Sequence, residues 1–117
     1  MTAATQILHN PRCSKSRQTL ALLEEQNENI KIIEYLKTPP SIDELTDIIA
    51  KLNINPRDLM RKGEAEYKEL NLANENLSET ELITAMHNNP RLIERPIVLK
   101  NGKVAIGRPP ENVLTIL

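Results

Sequence analysis

Phenylalanine and tryptophan are absent from this chain of 117 residues, and Tyr35 and Tyr67 are its only aromatic residues. A hydrophobic core must therefore be built from aliphatic side chains, and this length suffices for one domain with such a core. Cysteine occurs once, at Cys13, so no disulfide can form within the chain. The disulfide-rich secreted class is thereby excluded, and a single thiol is typical of the reducing cytoplasm.

Long apolar runs are also missing, and none approaches the roughly 20 residues that a membrane-spanning helix needs. The first ten residues, MTAATQILHN, contain neither the charged region nor the apolar region of a signal peptide. The formal net charge is −1, so no overall field favours nucleic acid or a membrane surface. We therefore expect a cytoplasmic protein with no nucleic-acid or membrane partner.

Acidic residues do not occur among the first 23 residues, although basic and imidazole side chains crowd together there. These side chains are His9, Arg12, Lys15 and Arg17. A basic island in a nearly neutral chain suggests a local site for an anion. The alternative is a solvated basic face, which is common for clusters of charge.

The first third of the chain alternates between strand and helix signals. Residues 5–8 form a short apolar strand candidate, and residues 16–26 have helical spacing. Residues 30–35 are rich in β-branched side chains and are predicted to form a second strand. This order is a βαβ unit, whose two strands should be parallel and joined by a right-handed crossover.

Residues 41–90 are predicted to be a helical insertion. Ser41 and Ser78 each begin a capping-box sequence that precedes a helical pattern, and Pro90 ends the second pattern. Asn55 and Pro56 resemble the start of a further short helix.

The final stretch returns to strand signals. Two strand-like runs, residues 97–100 and 103–106, flank Asn101-Gly102, a pair that favours a type I′ hairpin turn. Residues 109–117 are predicted to form a closing helix with Val113, Leu114 and Leu117 facing inward. The element order predicts one α/β domain over residues 1–117, with a thioredoxin-like βαβ–ββα plan and a helical insertion at about 41–90.

The loop between the first strand and the first helix has the strongest signs of chemistry. Ligands of open α/β sheets bind beyond the carboxyl ends of the strands, and helix N-termini attract anions. Cys13 lies at such a helix start, where N–H groups and nearby cations stabilise a thiolate. The alternative is an inert buried thiol, which the polar and basic neighbours make less favourable. His9 can equally be a turn histidine bonded to the backbone.

Two common cysteine motifs are absent around this thiol. A Cys-x5-Arg phosphatase loop would need arginine where Thr19 stands, and a Cys-x-x-Cys pair would need cysteine where Ser16 stands. Redox chemistry at Cys13 would therefore draw its electrons from external thiols. No metal site or bound cofactor is predicted.

Three arginines, Arg61, Arg95 and Arg108, lie outside this loop. The planar fork of arginine suits bidentate binding of tetrahedral oxyanions, but each residue taken by itself is more typical of a surface arginine than of a ligand. Arg95 precedes Pro96 at the start of the third strand, where we predict a cis peptide bond.

The run His9-Asn-Pro-Arg-Cys13-Ser-Lys-Ser-Arg17-Gln-Thr-Leu20 resembles the active-site signature of the ArsC family of arsenate reductases. The resemblance continues in order through three later segments, residues 58–62, 94–98 and 107–111. It implies a thioredoxin-like fold with a helical insertion, which agrees with the element order above.

The resemblance also implies roles for individual residues. Cys13 matches the nucleophile of the family, His9 the histidine near the thiol, and Pro96 the cis-proline. The oxyanion-binding arginines of the family match Arg61, Arg95 and Arg108. The implied reaction begins with attack of the Cys13 thiolate on arsenate. Glutathione then adds to the arsenic, glutaredoxin removes the glutathione, and arsenite leaves.

Two other functions are compatible with this sequence. A redox-sensing regulator resembling the Spx proteins would share the fold and bind RNA polymerase, although many of those proteins carry the Cys-x-x-Cys pair that is missing here. A glutathione-dependent oxidoreductase acting on protein mixed disulfides would need the thiol, but it would not need the three arginines together.

Overall fold

The computed structural model describes residues 4–26 and 28–117. The chain divides into two compact units, which we describe separately. The first comprises residues 1–38 and 95–117, and the second comprises residues 39–94. The second unit includes the whole segment predicted to be a helical insertion. Among the described residues, no helix combines the length and the apolar character needed to cross a membrane.

The first unit is built on a four-stranded mixed sheet with strand order β2-β1-β3-β4. Strand β1 is parallel to β2 and antiparallel to β3, which in turn is antiparallel to β4. Its regular elements are β1 (Thr5–His9), α1 (Ser14–Glu25), β2 (Ile30–Glu34), β3 (Ile97–Lys100) and β4 (Lys103–Ile106). The predicted α/β class and thioredoxin-like βαβ–ββα order are confirmed.

The core of this unit is aliphatic, as the lack of Phe and Trp requires. Ile7, Leu23, Val98 and Val113 are fully buried together, and Ala105 is nearly so. These side chains come from β1, α1, β3, the closing segment and β4, so the core is shared by both halves of the sheet. Burial of an aliphatic side chain of this size contributes about 1.5–3 kcal/mol to stability.

The hairpin between β3 and β4 has the turn that the sequence predicts. Asn101 and Gly102 have φ angles of 50° and 77°, and both values are positive. A type I′ turn needs positive φ at its two central residues, a conformation that asparagine and glycine adopt most readily.

The closing segment differs from the predicted helix. It is a 3-10 helix over Pro110–Ile116, and Leu114 and Leu117 are exposed rather than facing inward. A 3-10 helix has three residues per turn, so Val113 is aligned with Ile116 and not with Leu114 or Leu117. Accordingly, Val113 is fully buried and Ile116 packs against the core.

The second unit consists of helices α2 (Ile42–Leu52), α3 (Ala65–Glu69) and α4 (Glu79–Asn88), with short 3-10 turns at Pro56–Leu59 and Pro90–Leu92. Both predicted capping boxes are present: Ser41 and Ser78 each accept a hydrogen bond from the N–H of a glutamate three residues later. The sequence analysis did not predict α3, which is five residues long and has no buried side chain.

Gly107 follows β4 at a point where the backbone is closely packed. A Cβ atom placed on Gly107 would lie 2.6 Å from Oγ1 of Thr19 and 2.8 Å from Cγ of Pro96. Its N–H group donates to the carbonyl oxygen of Pro96 at 2.9 Å, which ties the end of β4 to the start of β3. Only glycine allows this approach without displacement of its neighbours.

Gly107→Ala is therefore expected to lower the free energy of unfolding by about 1–3 kcal/mol, the usual cost of overpacking. Gly63→Ala is the matched control, because a Cβ atom at Gly63 would meet nothing within 4 Å. Urea unfolding of both variants measures the difference. Equal stability of the two variants would contradict the close packing at Gly107.

A nearly buried ion pair joins the start of β2 to β3. The ammonium group of Lys100 donates to Oε1 of Glu28, and each side chain is only 12% exposed. The hydroxyl of Thr5 also donates to this carboxylate at 3.2 Å. The Lys100 hydrogen bond is the main cause that holds the pKa of Glu28 below its ordinary value, against the opposing effect of burial.

A carboxylate whose pKa is lower in the folded state stabilises that state above its unfolded pKa and loses this effect as the pH falls. Wild type should therefore exceed Glu28→Gln in stability at pH 7. This difference should shrink as the pH falls below about 4.3, the unfolded pKa of glutamate. Urea unfolding of both proteins from pH 7 to pH 3 measures it. A stability difference that does not change with pH would refute an ionic contribution from Glu28.

Candidate active site

Cys13 is the N-cap residue of α1, with φ −95° and ψ 124°. A tight turn places it there, because its own N–H donates to the carbonyl oxygen of Asn10 at 3.0 Å. Its carbonyl oxygen accepts the first helical hydrogen bond, from the N–H of Arg17 at 3.0 Å. The residue is only 9% exposed. The cysteine sulfur therefore occupies the position from which a serine or aspartate side chain ordinarily caps a helix.

The sulfur of Cys13 is surrounded by hydrogen-bond donors. The side chain of Arg95 and the backbone N–H groups of Ser16 and Lys15, in the first turn of α1, each lower the pKa of the thiol. Nη2 of Arg108 lies 3.6 Å from the sulfur. Two guanidinium groups and two helix N–H groups thus converge on one atom, an arrangement that favours an anionic form of that atom.

These donors determine the ionisation of the thiol. Burial by itself raises the pKa of Cys13, because it disfavours the charged form. The hydrogen bond and positive charge of Arg95, together with the N–H groups of Ser16 and Lys15, outweigh burial. The pKa of Cys13 consequently lies below the ordinary value of a thiol.

Alkylation of Cys13 measured against pH tests this direction. The rate should show an inflection below the free-thiol pKa of about 8.5. Arg95→Ala should move the inflection upward, because it removes the main group that opposes burial. Lys103→Ala is the control, since Lys103 is an exposed hairpin residue. An inflection at or above the free-thiol value in the wild-type protein would disprove the thiolate.

The two arginines are held in place by the backbone around Pro96. The Arg95–Pro96 peptide bond is cis, at the entry to β3. Nε of Arg108 donates to the carbonyl oxygen of Arg95 at 2.6 Å, which orients the Arg108 guanidinium toward Cys13. The Arg108–Pro109 peptide bond is also cis, and the sequence analysis did not predict it.

Arg95 is half-buried, and its buried Nε has no hydrogen-bond partner among the described residues. Burial lowers the pKa of its guanidinium, but the interactions with Cys13 and with the fully buried Tyr35 raise it above the ordinary value. Arg95 therefore remains charged beside the thiol. Tyr35 was noted in the sequence only as a rare aromatic residue, and no local pattern connects it with Arg95.

His9 lies at the end of β1 and is only 6% exposed. Its Nδ1 atom is 2.6 Å from Oγ of Ser16, and this oxygen also accepts the N–H of Asn10 at 3.0 Å. Burial is the main cause that lowers the pKa of His9; Arg17 lowers it further, and Glu34 opposes both. The predicted site residue His9 is thus linked to Cys13 through Ser16, whose role the sequence analysis did not identify.

Arg61 belongs to the second unit, where it is bound to carboxylates. Its Nη1 donates to Oε1 of Glu64 at 2.7 Å, and its Nε lies 3.9 Å from Oε1 of Glu94. Its backbone N–H donates to the carbonyl oxygen of Leu92 at 2.6 Å. The structure therefore groups Cys13 with Arg95 and Arg108, and the role of Arg61 stays a prediction from the resemblance.

Metal-binding chemistry has no counterpart in the part of the chain that the structure describes. No group of three or more histidine, cysteine, aspartate or glutamate side chains there could hold a metal ion. The site is a thiol at a helix N-terminus beside two guanidinium groups.

Comparison with known proteins agrees with this arrangement. The model of the ArsC family matches residues 8–116. The chain is 54% identical to the uncharacterized protein YfgD of Escherichia coli K12 over 118 residues, which cover 100% of this chain and 99% of that one. It is 51% identical to an arsenate reductase of Neisseria meningitidis serogroup B over 112 residues, which cover 95% and 96% of the two chains.

A solved structure is similarly close. The arsenate reductase from Vibrio cholerae aligns with a TM-score of 0.96 and 51% identity, covering 100% of both chains. The family match includes the thiol of Cys13 and both arginines that contact it. The chain belongs to the ArsC family.

Proposed function

We propose that this protein is an arsenate reductase that uses Cys13 as its nucleophile and external thiols as its electron source. The observation that carries the proposal is the convergence of Arg95, Arg108 and two helix N–H groups on the Cys13 sulfur. This environment stabilises a thiolate and offers donors to a tetrahedral oxyanion beside it. The relatives named arsenate reductase, about half identical over nearly the whole chain, give additional support.

The reaction begins with attack of the Cys13 thiolate on the arsenic atom of arsenate. A sulfur–arsenic bond forms, an arsenic–oxygen bond breaks, and the oxygen leaves as water after protonation. Arg95 and Arg108 hold the remaining oxygens and stabilise the charge that develops on them. No electron has been transferred at this stage, so arsenic is still in the +5 state.

Reduction needs two more sulfur atoms, and the chain has no second cysteine to supply one. Glutathione forms another sulfur–arsenic bond and releases a second water. A glutaredoxin thiolate then attacks the glutathione sulfur, which gives a mixed disulfide and leaves two electrons on arsenic. Water finally displaces Cys13 from the trivalent arsenic, and arsenite is released. Dependence on these thiols is the reason we place the protein in the cytoplasm.

His9 and Arg61 have distinct proposed roles in this scheme. His9 contacts the hydroxyl of Ser16, and the N–H of Ser16 lowers the pKa of Cys13, so we assign His9 the role of holding the turn that presents Cys13. Arg61 is proposed as a third oxyanion ligand by its match to the family signature. In the structure Arg61 is bound to Glu64 and Glu94, and it would have to leave these carboxylates to bind the substrate.

An assay of arsenate reduction with purified protein, glutathione and glutaredoxin tests the proposal. Arsenite should form only when all three are present, and omission of either thiol should stop turnover. Reduction of a glutathione–peptide mixed disulfide without any arsenite would instead favour the thiol oxidoreductase. Recovery of RNA polymerase in a pull-down, again without arsenite, would favour the Spx-like regulator.

A further inference from the structure

A cavity of about 250 Å³ opens at the carboxyl ends of β1 and β2. It is lined by residues 9–12 of the active-site loop and, from the other side, by Glu34, Leu36 and Lys37. Cys13, Arg95 and Arg108 are not among its lining residues, so this cavity is separate from the donors around the thiol. Its position is where open α/β sheets bind ligands.

The loop side of this cavity is held in shape by its own hydrogen bonds. Oδ1 of Asn10 accepts the N–H of Arg12 at 3.0 Å, and Nη1 of Arg17 donates to the carbonyl oxygen of Pro11 at 2.9 Å. Because the N–H of Cys13 also bonds to Asn10, the cavity wall and the nucleophile belong to one rigid turn. A ligand seated against this wall therefore has a fixed position relative to the sulfur.

His9 forms part of this wall. Its Nδ1 lies 2.6 Å from Oγ of Ser16, and this oxygen also accepts the N–H of Asn10. The imidazole ring is therefore anchored to the same turn that carries Cys13.

The charges around the cavity are two positive and one negative. Arg12 and Lys37 supply the positive charges, and Glu34 supplies the negative charge. Lys37 and Glu34 lie 3.6 Å apart with side chains 77% and 44% exposed. A surface pair of this kind contributes about 0–1 kcal/mol, so either partner can turn to a ligand at little cost.

We propose that this cavity binds the glutamyl end of glutathione and so positions the thiol donor next to Cys13. The proposal rests on the proposed function, because it assigns a site to the co-substrate of that reaction. The glutamyl end carries one carboxylate and one ammonium group, which complement the positive charges of Arg12 and Lys37 and the negative charge of Glu34. An extended tripeptide spans about 10 Å, and Cys13 directly follows the lining residue Arg12.

Binding of S-methylglutathione tests the site, because its blocked sulfur cannot join the reaction. Titration of the isotope-labelled protein should shift the amide signals of His9, Asn10, Arg12 and residues 34–37 in a saturable manner. Arg12→Gln and Lys37→Gln should each weaken binding about 2- to 5-fold, as expected for one exposed ion pair. Lys31→Gln is the matched control, since Lys31 is an exposed residue of β2 outside the lining.

A second ligand tests whether the cavity recognises the glutamyl end of glutathione. The dipeptide Cys-Gly with a methylated sulfur lacks the glutamyl end and should bind at least about 10-fold more weakly. Failure of S-methylglutathione to saturate these signals, or affinity unchanged in both cavity variants, overturns the proposal. Arsenate turnover does not enter this measurement, so the two proposals are judged separately. Turnover without binding in the cavity refutes the site alone, and binding without turnover refutes the reductase alone.

Discussion

Cys13→Ser should lower arsenate turnover by at least about 1,000-fold, the scale of loss when a nucleophile is removed. The serine hydroxyl has a far higher pKa than the thiol, and the groups that contact this position donate hydrogen bonds rather than accept a proton. Serine would therefore stay protonated and unreactive. Initial rates with saturating glutathione and glutaredoxin measure the effect.

Ser14→Ala is the control for this variant. Ser14 is the adjacent residue, begins α1 and is exposed. It should retain near wild-type turnover, and circular dichroism should show the same fold for both variants. If Cys13→Ser keeps more than a few per cent of the wild-type rate, the nucleophile is a different group and the mechanism above is wrong.

The second large effect is expected at the arginines that contact the thiol. Arg95→Ala and Arg108→Ala should each lower kcat/KM for arsenate about 10- to 100-fold, because a charge-assisted hydrogen bond contributes about 1.5–3 kcal/mol. In Arg95→Ala the carbonyl oxygen of residue 95 still accepts the bond from Nε of Arg108. The loss of kcat/KM in that variant therefore measures the contribution of the Arg95 guanidinium and not a displacement of Arg108.

Further variants distinguish charge from geometry at this site. Lysine in place of either arginine should recover only part of the activity, since an ammonium group cannot bind an oxyanion through two parallel bonds. Arg61→Ala should show a loss of similar size if Arg61 is the third ligand, and Lys103→Ala should show none. Sulfate and phosphate should compete with arsenate. Full activity of both Arg95→Ala and Arg108→Ala would rule out the oxyanion site.

Much of the fold follows from local sequence. Asn101-Gly102 determines the hairpin because few other residue pairs accept two positive φ angles in succession. Ser41 and Ser78 begin helices because a hydroxyl and a glutamate three residues later satisfy each other's backbone N–H groups. The interactions that decide these features span four residues or fewer, so the sequence alone contains them.

Tertiary packing decided the closing segment. Helical periodicity grouped Leu114 and Leu117 with Val113, but the chain forms a 3-10 helix that buries Val113 and packs Ile116 beside the core. In so short a segment, the local conformational preference of the residues differs little between an α-helix and a 3-10 helix. The available core surface selected the one that aligns residues three apart.

The candidate active site also combines features that the local sequence decides with features that only tertiary packing decides. The sequence placed Cys13 at a helix start among cations, because a strand, a turn and a helical pattern follow one another there. It did not place Arg108, which lies 95 positions away along the chain, within 3.6 Å of the sulfur. That contact depends on the pairing of β1 with β3 and β3 with β4, and on the close approach of Gly107 to Thr19 and Pro96. The sequence alone placed Cys13 at the start of its helix, whereas the sheet decided which cations surround it, because such long-range contacts form only when the whole unit packs.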